Sequence, residues 1–168
     1  SNGSYSIPFK GAGKYVYYTD DGENFGTSVE VDISDPMNPK VTDESITVSS
    51  FKKGEAGDAF VMKTLHFDHN SDRIRPESYF DLERLAKMLK KHTSTQLQIA
   101  GHTDNVGSDA FNLDLSKRRA KAVMEFLVSK GCNTANIQAE GYGETKPKAT
   151  NATEIGRQVN RRVEFLID

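Results

Sequence analysis

Apolar and polar residues recur with two different periods along this chain, and the change falls near residue 57. Before it, residues 15–19, 28–33 and 45–51 are short runs rich in Val, Ile, Tyr and Thr, separated by the turn clusters "DDGEN" and "SDPMNPK". Such runs between such clusters predict consecutive antiparallel strands. Residues 1–56 are therefore expected to form a β-rich segment or partial β-sandwich, with residues 52–58 as the linker. From Val61 onward strand-like and helix-like periods alternate. "VMKTLHF" predicts a strand, and Pro76 opens a helix, where a missing N–H does no harm. Leu82, Leu85, Ala86 and Leu89 then fall on one helical stripe. "TQLQIAG" alternates with period two, and a second helix turns Leu115, Ala122, Val123, Phe126 and Leu127 inward before stopping at Gly131. "NIQAEGYG" predicts a third strand, and "NATEIGRQVN" a short helix capped by Asn151 or Thr153. "RRVEFLI" predicts a last strand with Val163, Phe165 and Ile167 on one face. This order gives an α/β sandwich over residues 57–168, a mixed sheet of about four strands with helices packed on it.

Composition narrows the class. With 168 residues, 27% charged and 36% hydrophobic, the chain suits a globular domain and a small neighbour. It contains no run of 18 apolar residues, so no transmembrane segment is expected. The opening "SNGSYS" carries neither a hydrophobic signal core nor a lipid-attachment cysteine, so an export signal is expected to have been removed or to be missing. A net charge of −2 argues against nucleic acid as a partner. The single cysteine, Cys132, follows a helix-ending glycine and reads as a small core residue rather than a reactive thiol.

The charged residues that stand out lie between Gly101 and Arg162. Asp104 ends the second predicted strand in a Thr-Asp turn, and Arg119 follows fifteen residues later on the second helix. Arg161 and Arg162 precede the last strand. A carboxylate and an arginine facing one crevice at a strand's carboxyl end suit a small zwitterion. The carboxylate accepts from an ammonium, and the guanidinium forks two N–H bonds onto a carboxylate. The bland alternative is an internal salt bridge at the strand–helix junction. Asn70 and Thr103 alone read as turn residues, Asn112 as a helix-start residue, Asp68 as a structural carboxylate, and Arg162 as a solvated or sheet-edge residue.

The same stretch resembles the OmpA-like peptidoglycan-binding domain. Its pattern T-D-x-x-G, N-x-x-L-S-x-x-R-A, G-x-G-x-x-x-P and N-R-R-V-E is matched from Thr103, Asn112, Gly141 and Asn160. The resemblance implies that Asp104 and Arg119 bind the free end of meso-diaminopimelate in the peptidoglycan stem peptide. It implies that Arg161 adds a second positive charge, and that Asn70, Thr103 and Asn112 bond the ligand or its backbone. It implies no cofactor, and a periplasmic, outer-membrane-associated setting in which the domain anchors an outer-membrane protein, lipoprotein or complex to the wall. Outer-membrane proteins are then candidate partners. A stator or secretion machine, where protein contacts matter as much as the wall, is the alternative. Ile155 departs from the pattern, which has a polar residue before Gly156. The segment "YSIPFKGAGKYVYYTDDGENF" resembles, more weakly, the end of a carboxypeptidase-regulatory-like β module.

Rival chemistries find less in the sequence. His66, Asp68, His69 and His102 crowd together, but strand geometry sends His66 and His69 to opposite faces, and no metal site is expected. There is no nucleophile elbow, and "GAGKY" lacks the remainder of a phosphate loop. The chain is expected to bind rather than to catalyse.

Overall fold

A computed structural model describes residues 14–18, 28–32, 40–42, 59–62 and 64–167. They fall into two units, Ser1–Phe51 and Lys52–Asp168. In the first, β1 (Lys14–Tyr18), β2 (Ser28–Asp32) and β3 (Lys40–Thr42) form an antiparallel sheet in that order. Lys14 pairs with Asp32, and Asp32 with Lys40. The strand expected at 45–51 and the linker at 52–58 lie outside the described residues.

The second unit is a four-stranded mixed sheet with helices. Along the chain come β4 (Ala59–Val61), α1 (Tyr79–Lys91), β5 (Leu97–Gly101), α2 (Asp109–Ser129), β6 (Ile137–Gly141), α3 (Glu154–Asn160) and β7 (Val163–Ile167). The spatial order is β4-β7-β5-β6. Only β5 and β6 run parallel, which requires the long crossover that α2 supplies. β7 is antiparallel to both β5 and β4.

Alternation along the strands defines the core. Leu97 and Ile99, Ile137, and Val163 and Phe165 are buried beneath Leu82, Leu85, Ala86 and Leu89 of α1 and Leu115, Ala120, Val123 and Leu127 of α2. The inward stripe of α2 is thus narrower than its apolar residues suggested. Ala122 and Phe126 are only half-buried, and Phe126 stacks on Tyr79 of α1 with ring centroids 5.2 Å apart. α2 ends at Ser129, and Gly131, one residue past the Lys130 cap, provides the left-handed step of a helix stop with a φ of 90°. Cys132 is buried, its thiol 3.6 Å from the Ala86 carbonyl and pushed up in pKa by burial, as befits a packing residue.

The strand expected over residues 61–67 ends at Val61. Side chains replace the ladder beyond it. The Ser78 hydroxyl accepts from the His66 N–H at 2.8 Å and donates to the Thr64 carbonyl at 3.0 Å. Thr64 Oγ1 donates to Asp81 Oδ2 of α1 at 2.5 Å. A one-pair bridge, Phe67 to Ile74, then closes a loop over residues 68–73.

α2 lies unusually close to the sheet. A Cβ on Gly101 would sit 2.3 Å from the Ser116 carbonyl oxygen, and one on Gly141 would sit 2.3 Å from the Lys117 backbone nitrogen. Neither neighbour is a flexible tip, so the helix itself would have to move. Gly101→Ala is expected to destabilise the domain by about 2–3 kcal/mol, the upper part of the range for overpacked cores. Urea denaturation of the variant against the unaltered chain measures it.

Candidate functional site

The site is built where β5 runs into the α2 N-terminus. Thr103 donates its backbone N–H to the Gly143 carbonyl at 2.9 Å, tying the end of β5 to the turn after β6. Gly143 adopts φ 54°, a conformation open to glycine, and its N–H donates to Ser116 Oγ of α2 at 2.8 Å. Asn112 completes the frame. It is 2% exposed, and its side-chain nitrogen donates to the Asp104 carbonyl at 3.2 Å and to Glu144 Oε2 at 2.7 Å. Its place in the structure is a clamp between two loops.

Asp104 is only 6% exposed and is oriented from both sides. Oδ1 accepts the Val106 N–H at 3.0 Å, and Oδ2 accepts from Arg161 Nη1 at 2.5 Å. The other terminal nitrogen of Arg161 donates to Glu154 Oε1 at 2.6 Å. Glu154 in turn accepts from Arg157 through Oε2, at 3.0 Å from Nε and 2.8 Å from Nη2. Hydrogen bonds from Arg161 and then Arg157 hold the Glu154 carboxyl below its ordinary range. Arg161 is raised, first by its bond to Glu154, with the Asp104 contact adding to it against partial burial.

Arg119 stands seven residues beyond Asn112, about two turns along the same face of α2. Nε donates to the Ser71 carbonyl at 2.9 Å, and the guanidinium lies 5.0 Å above the Phe67 ring. Among the described residues, no acceptor meets its two terminal nitrogens. Burial lowers its pKa, with Arg118 and Arg161 acting in the same direction and Asp104 and Asp72 against it. Asp104 and Arg119 therefore share one electrostatic neighbourhood without forming the direct salt bridge of the bland reading. Arg161 takes that place.

The loop carrying Asn70 is docked on α2 by Arg119 and by Arg118, whose Nη1 lies 2.7 Å from Asp72 Oδ1. Asn70 is exposed at φ 51°, a left-handed position that asparagine tolerates, one residue from the carbonyl that holds Arg119. Asp68 is structural, 3.2 Å from Arg75 and 3.6 Å from Arg73. Thr103 Oγ1 is buried with no hydrogen-bond partner. Among the described residues no group of three or more His, Cys, Asp or Glu could hold a metal ion.

Arg162 needs correction. It does turn away from Arg161, but its side chain is only 6% exposed rather than solvated. Nε donates to Glu164 Oε1 at 2.6 Å, and Nη1 and Nη2 to the Asn160 and Lys146 carbonyls. Glu144, Glu154, Phe67 and Ser71 were not singled out by the sequence. Only Glu154 had a local signal, its spacing of three and seven residues from Arg157 and Arg161 along a capped helix.

A sandwich of this topology, with a carboxylate at a strand end and arginines converging from two helices, belongs to an established family. The chain is a member of the OmpA family, whose model matches residues 66–161. It is similar to outer membrane porin F of Pseudomonas fluorescens, at 46% identity over 102 residues, and to the peptidoglycan-binding protein ArfA of Mycobacterium tuberculosis, at 39% over 102 residues. Each match covers 61% of this chain and 31% of the relative, so the chain spans less than a third of either protein. The crystal structure of the peptidoglycan-associated lipoprotein from Burkholderia pseudomallei superposes with a TM-score of 0.59 at 31% identity, covering 62% of this chain and 88% of that one.

His102, next to the site, faces the sheet surface opposite α2. It is 3% exposed, stacks on Tyr142 with centroids 5.5 Å apart, and neither ring nitrogen has a hydrogen-bond partner. Burial lowers its pKa to about 4; Arg162, Lys146 and Lys148 push the same way, and Glu164 opposes them. A neutral imidazole in the folded state means that the unfolded chain takes up the proton first as pH falls. The contribution is complete above about pH 6.5 and is lost down to about pH 4, amounting to about 3 kcal/mol. Thermal melts between pH 7.5 and 4.5 are expected to show a flatter pH dependence for His102→Gln than for the unaltered chain.

Proposed function

We propose that residues 52–168 bind peptidoglycan non-covalently, by gripping the free zwitterionic end of meso-diaminopimelate in the stem peptide. The observation that carries this reading is Arg119, a desolvated guanidinium already held at Nε, with its terminal nitrogens open beside Asp104. A carboxylate on those two nitrogens makes the planar two-bond fork that arginine offers and lysine does not. The neighbouring ammonium is then within reach of the Asp104 carboxylate. Family membership supports the same reading, as do the printed names of ArfA and the peptidoglycan-associated lipoprotein.

The task is binding rather than turnover, in a periplasmic protein that anchors an outer-membrane protein, lipoprotein or complex to the wall. Affinity at one site is modest, because charged groups on both sides lose water on binding. A wall polymer presents the same ligand many times, which raises retention without stronger contacts.

Asp104→Ala and Arg119→Ala are each expected to weaken co-sedimentation with diaminopimelate-type sacculi by about 30-fold or more, the usual effect of removing one partner of a desolvated charge pair. Circular dichroism checks that both variants keep the fold. Two variants that sediment like the unaltered chain would refute the site.

Selectivity follows from charge count. A lysine stem peptide lacks the side-chain carboxylate, so Arg119 gains no anion in exchange for its lost water. Calorimetric titration with soluble stem peptides differing only at that residue is expected to favour diaminopimelate by about 30-fold or more, near 2 kcal/mol. Equal affinities would mean that only the ammonium is read.

A further inference from the structure

We propose that Arg161 is a built-in competitor for the ligand's ammonium at Asp104, and that Glu154 is the positioning residue that lets Arg161 be displaced. The inference rests on the zwitterion reading above and names a control on that site.

Both oxygens of Asp104 are engaged, and the residue is 6% exposed. One oxygen is taken by the Val106 N–H and the other by Arg161 at 2.5 Å. An ammonium therefore meets a carboxylate already paired with a cation, and competes with Arg161 for the Oδ2 side. Whether it succeeds depends on what Arg161 has to fall back on.

Glu154 supplies that alternative. Arg161 bridges two acids, Nη1 to Asp104 and Nη2 to Glu154. Glu154 does not swing freely: its second oxygen is gripped by two nitrogens of Arg157, and Arg157 Nη1 is itself anchored on the Asn151 carbonyl at 2.9 Å. The base of this chain is rigid, because the Thr153 side chain caps α3 by accepting the Gly156 N–H at 3.1 Å. When Asp104 turns to the ammonium, Arg161 keeps one ion pair. It also remains beside Arg119, where it adds positive charge for the ligand's carboxylate.

Without Glu154, Arg161 has Asp104 alone and competes harder for it. Glu154→Gln is therefore expected to weaken binding of a soluble meso-diaminopimelate stem peptide, by about three- to fivefold, the scale of an exposed ion pair. The effect should vanish in an Arg161→Gln background, where no competitor exists; general damage to α3 would weaken binding in both backgrounds. A second probe, 1,5-diaminopentane, has the ammonium and no carboxylate. Arg161→Gln should bind it about threefold more tightly than the unaltered chain, since it gains Asp104 and loses nothing.

Calorimetry on the full 168-residue chain, with melting temperatures as a fold check, reads all of these. Failure of the unaltered chain to bind the stem peptide overturns the zwitterion reading and this inference with it. Binding by the unaltered chain with equal or tighter binding by Glu154→Gln overturns the competitor alone, as does an Arg161→Gln variant that holds the diamine no better.

Discussion

The near-contact between α2 and the two parallel strands is the constraint from which the site follows. Gly101 and Gly141 sit at paired positions of β5 and β6, and α2 crosses them with no side chain between. Ser116 lies at that crossing, fully buried, donating its hydroxyl to the Leu113 carbonyl and accepting the Gly143 N–H. From this helix Asn112 reaches the loops after β5 and β6, and Arg119, two turns along the same face, reaches Ser71 and Phe67. A helix standing one methyl group further out would release the turn at Gly143, whose N–H is held by Ser116 Oγ. The sequence run from Asn112 to Ala120 is thus one mechanical unit, with a clamp at Asn112, a core leucine, a buried serine at the crossing, an arginine held by Ser71 and Phe67, and a core alanine.

Charge is arranged in this frame so that cations and anions are unequally satisfied. Asp104 is paired and oriented, Glu154 is doubly paired, and Arg119 is desolvated without a facing acid. A half-buried cation without a facing anion is unfavourable. It is sustained here because one nitrogen reaches the Ser71 carbonyl and the ring of Phe67 supplies a favourable quadrupole.

Much of the architecture was legible because it is local. The stripe on α1, the alternation in β5 and β7, the stop at Gly131 and the cap at Thr153 each depend on a few neighbouring residues, and the structure has them all. The segment after Val61 misled because its period-two pattern is genuine, yet its polar groups find partners in Ser78 and Asp81 rather than in a neighbouring strand. The ionic wiring was less readable. Placing Asp104 and Arg119 near each other requires only the strand–helix order. Deciding that Arg161 pairs with Asp104 requires knowing how the turn after α3 approaches β5, and no period in the sequence encodes that approach. Asn112 shows the same limit: its residue type suits ligand and loop equally, and nothing in the sequence foretells its two bonds to Asp104 and Glu144.

The run from Asn160 to Glu164 carries this logic to its end, since five consecutive residues do five different things. Asn160, fully buried, accepts the N–H groups of Lys148 and Ala149 and donates to the Ala149 carbonyl and Asn151, fixing the loop that leads into α3. Arg161 turns into the site. Arg162 turns to the opposite side and locks that same loop through the Lys146 carbonyl. Val163 enters the core, and Glu164 answers Arg162 at 2.6 Å and Lys148 at 3.0 Å beneath His102. Two adjacent arginines of identical chemistry are thereby given unlike environments by the turn between α3 and β7. The buried one makes the loop rigid, and that rigidity sets the position from which its exposed neighbour reaches Asp104.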